Sequence, residues 1–508
     1  AGFFDRLPGR RRPEWYAASD PPGRPLGSGG GTAHLLTQAW RDTSQQPFAK
    51  WLETSRKLII HGGGQSRRLP AYAPPGKLMM PLPVFRWTRG QRIDQTLLDL
   101  QTPDYERVLA HAPVGYRVMI TSGDVLLRFS RELPSFPEVD VLGLGMWVAP
   151  EVAKDFGVFF SPRQNPQEIA FFLQKPSIAR IRELNTEYFP LVDTGMWLLS
   201  ARAVRVLFEL CGWDPDRESF PDGVPATYDL YAQFGLALGT RAHAPHPRIA
   251  ELSAAVIPLP RAEFYHLGTS RQLVETVSRI QSLELDESKI GLMGARQYPS
   301  QFLQNCRFTY PLSLDTNHTL WVENSVVPTS WHLASEHVLT GVPDNDWSLR
   351  LERGVCLDIV LVDQRGYALR VYGLDDPFRG PMGDPATRWL GQSVGQWFER
   401  RDLNLARAGI APETDIQSAP LFPVEPSGQI DPEFLAWLFT AQPAAAANAR
   451  FADAWCKMER LSAADLCQRI NLERYFNVQA QRRRECVLPM MRNARFSVFY
   501  KLDLEATA

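Results

Sequence analysis

Along residues 57–290, short apolar runs alternate with stretches whose apolar positions recur at helical spacing. The runs at 57–60, 117–121, 139–147, 168–173, 195–199 and 254–259 are too short for buried helices and read as strands. Between them, 91–100, 201–211 and 230–239 carry the helical period. Strands interleaved with helices predict an α/β fold, a Rossmann-like, mostly parallel sheet with helices on both faces. Ligands then bind beyond the carboxyl ends of the strands. The texture changes near residue 300. Over 305–345, apolar steps such as Leu320-Trp321-Val322 and His337-Val338-Leu339 recur between polar turn residues, which predicts stacked β-helix (solenoid) rungs. Trp321, Trp331 and Trp347 then belong to the solenoid core or rim. Residues 355–362 and 367–372 read as a hairpin around Gln364-Arg365-Gly366. Beyond 385 the pattern is mainly helical, with helices expected at 431–440, 450–472 and 473–484 and a closing strand at 495–502. The expected domains are 1–295, 296–380 and 381–508.

Composition narrows the function classes more than it selects one. A chain of 508 residues with net charge −1 has no electrostatic footprint for nucleic acid or an acidic membrane surface. The runs Arg10-Arg11-Arg12 and Arg482-Arg483-Arg484 are short enough to be solvated faces. Six cysteines without CxxC or Cys/His spacing argue against a zinc site or a disulfide scaffold and for reduced thiols in a cytoplasmic protein. No apolar run has the length of a membrane helix, and no signal-peptide pattern opens the chain. It begins with Ala, as expected of a trimmed chain or of part of a larger polypeptide.

The chemistry is concentrated in two glycine-rich stretches. The first is Leu26-Gly27-Ser28-Gly29-Gly30-Gly31-Thr32. The second, Gly62-Gly63-Gly64-Gln65-Ser66-Arg67-Arg68-Leu69-Pro70, follows the 57–60 strand, and Lys77 comes ten residues after Arg67. A strand running into glycines lets backbone N–H groups wrap phosphate oxygens, and Arg67 and Lys77 add positive charge where a phosphate chain would lie. The plain alternative for the first stretch is a tight loop.

The second stretch, with Gly76-Lys77-Leu78-Met79-Met80-Pro81, resembles the GGxGTRLxP and PKPLLP signature of sugar nucleotidyltransferases, ungapped from arginine to lysine. Gln65, Ser66 and Gly76 replace a glycine, a threonine and a proline of that pattern. Further stretches follow in the family's order: Thr121-Ser122-Gly123-Asp124, Phe156-Gly157-Val158, Leu173-Gln174-Lys175-Pro176, Asp193-Thr194-Gly195 and Phe264-Tyr265-His266-Leu267-Gly268-Thr269-Ser270. Together with Tyr228-Asp229-Leu230-Tyr231 and Gly341-Val342-Pro343-Asp344-Asn345-Asp346-Trp347, they resemble the fucose-1-phosphate guanylyltransferases, the pyrophosphorylase half of bifunctional bacterial L-fucokinase/GDP-fucose pyrophosphorylases. The likeness runs from about residue 15 to the end.

The resemblance implies a set of roles. Arg67, Lys77 and Lys175 would be catalytic, the first two on the triphosphate and Lys175 on the sugar phosphate. Gly27, Ser28, Gly29, Gly30, Gly31, Gly62, Gly63, Gly64, Gln65, Ser66, Ser122 and Gly123 would contact nucleotide. Asp193, Gly195, Asp229 and His266 would face the sugar phosphate, and Asp124 would hold Mg²⁺. His266 stands where many members have a second metal-binding aspartate, so Asp193 and Asp229 are both candidates for a second carboxylate. Each of the three also has a structural alternative: a packed histidine, or hydrogen-bonded turn aspartates.

The residue types suit the chemistry. A sugar 1-phosphate is already ionised, so attack on the α-phosphorus of GTP needs charge neutralisation and alignment more than a general base. The expected reaction joins GTP and β-L-fucose 1-phosphate into GDP-L-fucose and pyrophosphate, with Mg²⁺ as cofactor and a fused or separate fucokinase as partner. Two alternatives stay open: a pyrophosphorylase for another sugar or base, and a non-catalytic nucleotide-sugar-binding regulator. The motifs leave oligomeric state undetermined.

Overall fold

The computed structural model describes residues 15–21, 23–62, 66–83, 94–284, 299–426 and 429–492. The expected strand at 495–502, the Arg10–Arg12 run and Gly63, Gly64 and Gln65 lie outside them. The chain forms two units. One comprises Ala1–Gly63 and Leu98–Tyr265, the other Gly64–Leu97 and His266–Ala508. The expected boundaries at 295 and 380 are not the ones this division follows, because the segment after the glycine signature packs with the later part of the chain.

The first unit is built on a sheet of β1 (Lys57–His61), β2 (Tyr116–Ser122), β4 (Val141–Met146), β5 (Gly157–Pro162), β6 (Phe171–Gln174), β7 (Tyr188–Ser200) and β8 (Ala254–Pro258), with a short β3 (Val125–Arg128) outside it. Its main order is β1-β2-β7-β4-β8. The sheet is mixed, not mostly parallel. β1 pairs with β2 and β4 with β8 in parallel, but the 13-residue β7 runs antiparallel to β2, β4 and β5. A strand buried on both faces has the same apolar pattern in either direction, so its orientation is invisible to periodicity. Alternation along β7 sends Trp197 and Leu199 to one core and Met196 and Leu198 to the other. On the first face lie Ala33 and Leu36 of α1 (Gly27–Thr43) and Phe208 of the helix Ala201–Leu210; on the second lie Tyr105 and Val108 of the helix Leu97–His111.

In the second unit, Gln301–Gln304, Leu320–Glu323, His337–Thr340 and Val355–Val362 stack in parallel, with Phe302, Trp321 and Val338 in line. Arg307–Phe308 pairs in parallel with Val326–Val327, and His332–Leu333 with Arg350–Leu351. The stack ends where Val355–Val362 folds back on Gly366–Gly373 as an antiparallel hairpin, as expected. The helices Val394–Glu399, Pro432–Phe439, Ala445–Lys457, Ala463–Arg469 and Leu472–Arg492 follow, joined by short strands. Trp389, Trp397, Trp437 and Trp455 are fully buried among them. Trp321 and Trp331 are core residues as expected, and Trp331 stacks on the half-buried Trp347.

Two buried contacts tie the 66–83 segment into this unit. The Tyr72 hydroxyl accepts from Trp321 Nε1 at 2.8 Å. Arg370, opposite Asp358 in the hairpin and paired with it at 2.8 Å, donates through Nη2 to the Pro70 carbonyl at 2.6 Å.

Candidate functional site

The first glycine stretch is not a loop. α1 begins at Gly27, and Gly29 and Gly30 both donate their amides to the Tyr228 carbonyl, at 2.9 and 3.0 Å. A Cβ on Gly29 would come within 2.8 Å of the Tyr228 ring, and one on Gly30 within 2.7 Å of the Ala226 carbonyl oxygen. The glycines therefore let a helix lie directly on the 226–229 backbone. The amides of Gly29 and Gly30 are committed to that contact, and the Ser28 hydroxyl accepts from Leu230 N at 2.8 Å. Glycine clusters serve close packing and phosphate wrapping equally well, and sequence alone did not separate the two.

At the carboxyl end of β1, His61 reaches back to this helix, its Nε2 2.9 Å from Thr32 Oγ1. Burial pushes the imidazole down to about 4, against the opposing charges of Asp20 and Asp229, so it is neutral at physiological pH. Gly123 N donates to the His61 carbonyl at 3.0 Å, which fixes the turn after β2 beside the start of the signature at Gly62. In that turn Ser122 Oγ donates to Asp124 Oδ1 at 2.9 Å, and Gly195 backs onto Ser122. The carboxyl ends of β1 and β2 thus bring Gly62, Ser122, Gly123, Asp124 and Gly195 to one edge of the sheet.

Asp193 is buried there with defined partners. Its carboxylate accepts from Gly195 N at 2.8 Å and from Trp197 Nε1 at 3.0 Å, and burial still lifts it to about 7. Those donations make Asp193 a turn-locking residue at the edge. Asp229 is likewise occupied, capping the helical turn Leu230–Phe234 by accepting from Tyr231 N and Ala232 N through Oδ1. Both aspartates thus have hydrogen-bond partners within the chain. Tyr231 is half-buried near them, its phenol raised well above the ordinary range by burial and then by the nearby Asp193, Asp124 and Asp229.

Lys175 follows β6 at φ +46°, with its amide donated to the Phe156 carbonyl at 2.9 Å. A non-glycine residue in the left-handed region costs roughly 1–2 kcal/mol, and here it precedes Pro176, which further restricts the backbone.

In the second unit, Ser66 is at φ +45° and Arg67 forms an ion pair. Arg67 Nη1 is 2.8 Å from Asp415 Oδ1 and donates to the Phe378 carbonyl at 3.1 Å. Arg68 O accepts from Ser270 N at 2.8 Å, which binds the signature to the Phe264–Ser270 stretch. The His266 ring lies against Gly268, and its carbonyl accepts from Thr276 Oγ1. Lys77 opens the short helix Lys77–Met79 and is half-buried. Gly76 before it is at φ +89°, which a proline cannot adopt, so the departure from the family's Pro-Lys pair is a change of backbone conformation. Asp415 was missed by sequence reasoning. Its partner is 348 residues away, and the local pattern Asp415-Ile416-Gln417-Ser418 signals only a helix cap.

Among the described residues no cluster of three or more His, Cys, Asp or Glu side chains could hold a metal ion, and no helix is long and apolar enough to cross a membrane.

Residues 49–246 match the model of the fucose pyrophosphorylase domain. The chain is 39% identical over 511 residues to the L-fucokinase/L-fucose-1-P guanylyltransferase of Bacteroides fragilis, covering 99% of this chain and 52% of that protein. It is 24% identical over 224 residues to a bifunctional fucokinase/GDP-fucose pyrophosphorylase of Arabidopsis thaliana, covering 37% of this chain and 20% of that one. The chain thus spans about half the length of its bacterial relative. Among solved structures, a mannose-1-phosphate geranyltransferase from Thermus thermophilus aligns with 64% of this chain and 96% of its own at 14% identity and a TM-score of 0.31.

Proposed function

We propose that this chain is a fucose-1-phosphate guanylyltransferase. An oxygen of β-L-fucose 1-phosphate attacks the α-phosphorus of GTP, the bond to the β-phosphate breaks, and GDP-L-fucose and pyrophosphate form. The observation that carries this reading is the 39% identity to the bacterial fucokinase/guanylyltransferase over 99% of the chain. The ungapped register of Arg67 and Lys77 supports it. In that reading a fucokinase, fused or separate, supplies the sugar phosphate. The stacked parallel strands of 301–358 are read as a short β-solenoid and the 394–492 helices as a helical region following it.

The assigned roles follow the chemistry of each residue. Arg67 and Lys77 neutralise the triphosphate and the departing pyrophosphate, and Lys175, held in a strained backbone conformation, meets the sugar phosphate. The nucleotide contacts are Gly62, Gly63, Gly64, Gln65, Ser66, Ser122 and Gly123. Gly195, with Asp193 locking its turn, and His266 are kept for the sugar phosphate. The donor set fits Mg²⁺ only in part: Asp124 is one carboxylate, and such a site binds the ion weakly until substrate phosphates fill the octahedron. Asp124 would hold the ion, which supplies charge neutralisation at the phosphates.

Pyrophosphate release measured across the four nucleoside triphosphates and a panel of sugar 1-phosphates tests the reading. GTP with β-L-fucose 1-phosphate should turn over fastest. Equal or better turnover with another pair would move the assignment to that pair, and no turnover with any would leave a binding protein.

A further inference from the structure

The last third of the chain carries no motif, yet one of its carboxylates meets the signature arginine. Arg67 Nη1 has two acceptors from distant segments, Asp415 Oδ1 at 2.8 Å and the Phe378 carbonyl at 3.1 Å. Both acceptors are themselves fixed. Asp415 accepts from Gln417 N at 2.9 Å and, through Oδ2, from Gly380 N at 3.3 Å. Phe378 is at φ +44°, a conformation disfavoured for a bulky residue, and its ring is buried between Tyr372 and Phe422. The segments around them are zipped by backbone bonds, Met382 N to Thr414 O at 2.8 Å and Ile416 N to Gly380 O at 2.9 Å.

An exposed ion pair between two free side chains contributes little. This one has one partner immobilised by backbone amides and a strained residue presenting the second acceptor. An arginine fork anchored at one terminal nitrogen keeps its plane fixed, and a fixed plane is what two-point recognition of a phosphate requires. Burial works to raise the Asp415 carboxyl, but donation from Gln417 N and Arg67 holds it below the usual carboxylate range, so the anchor stays charged through the working pH range.

We propose that Asp415, with the Phe378 carbonyl, is a positioning residue for guanylyl transfer, orienting Arg67 toward the triphosphate. The proposal rests on the role given to Arg67 above. Its test is a double-mutant cycle on the full chain. Asp415→Asn keeps an acceptor for Gln417 N and removes the charge, and Asp415→Ser is a second neutral cap. Each should lower kcat/KM for GTP about tenfold to a hundredfold, the order expected for a misplaced positioning contact, with the thermal unfolding midpoint near that of the parent. In an Arg67→Ala background the same substitutions should change the rate by no more than about twofold, since a residue acting through Arg67 has nothing left to act on. Free guanidinium should partly restore Arg67→Ala and restore the double variant less. Full activity of both Asp415 variants, or a double variant whose loss is the product of the two single losses, would overturn the inference. An Arg67→Ala protein of normal activity would instead overturn the role of Arg67 itself, and with it the inference.

Discussion

The two units keep their charges in different places. In the Ala1–Gly63, Leu98–Tyr265 unit the interior is apolar and aromatic, and Asp193 is the one acidic or basic side chain among the described residues that it buries to less than a tenth of its surface. The other polar groups of interest there stand at strand ends. The Gly64–Leu97, His266–Ala508 unit buries Glu323, Glu336, Asp358, Arg370, Asp376, Arg401 and Arg482. Asp358 and Arg370 form a closed pair, with Thr340 Oγ1 donating to the same carboxylate at 2.7 Å. Arg401 has no carboxylate against it among these contacts. Its guanidinium lies 4.3 Å above the Trp397 ring and donates to the carbonyls of Trp437, Leu438 and Thr440 at the carboxyl end of the Pro432–Phe439 helix. Aromatic face and helix terminus both favour a cation there, while burial pulls it down to about 9. Buried charge in the second unit pins distant segments together, including the one that carries Lys77. In the first unit, the described charges other than Asp193 are half-buried or exposed.

The largest expected effect breaks the interior pair. Asp358→Ala leaves the Arg370 cation buried without its partner and should cost about 3–5 kcal/mol of unfolding free energy. Urea denaturation measures it, and Asp358→Leu with Arg370→Met should recover most of the loss. If the single variant unfolds like the parent, the interior charge is not what holds this unit. Next comes a half-buried charge of the same unit. Lys77→Ala should lower turnover by about a hundredfold to a thousandfold, as for loss of one preorganised stabilising group, with the urea midpoint unmoved. A shifted midpoint with normal turnover would make Lys77 a structural residue.

Gly30→Ala probes the first unit in the opposite sense, since its cost is steric. The added Cβ meets a carbonyl oxygen at 2.7 Å, and overpacking of this kind costs about 1–3 kcal/mol. The KM for GTP should stay unchanged; a rise in KM without loss of stability would return the glycines to the nucleotide site. The last effect is a slope with pH. Because burial lifts Asp193 to about 7, the native state holds its proton more tightly than the unfolded chain does. The stability this contributes is fully present below about pH 4 and declines as pH rises towards 7, by at most about 1.4 kcal/mol per pH unit. Asp193→Asn removes that decline. Melting temperatures of the two proteins at pH 5, 6, 7 and 8 should diverge accordingly, and parallel profiles would show that Asp193 titrates normally. Glu323, lifted to about 7 by burial in the other unit, adds the same slope to both proteins and cancels in the comparison.

Much of this molecule was legible in one dimension. The strand at 57–60, the hairpin of 355–362, the buried strand residues Trp321 and Val338, and the register of Arg67 with Lys77 all follow from spacing and side-chain type, which are local quantities. Strand direction, the meaning of a glycine cluster and the partner of a charge are not local. β7 reverses the sheet without altering its apolar pattern. Gly29 and Gly30 are explained by Tyr228, about two hundred residues on in the numbering. Asp415 looks like a cap because it is one, and only the folded chain shows that the same carboxylate also holds Arg67. A sequence records which groups can donate, accept or pack; burial and approach decide which of those capacities are used, and both are created by contacts between residues far apart along the chain.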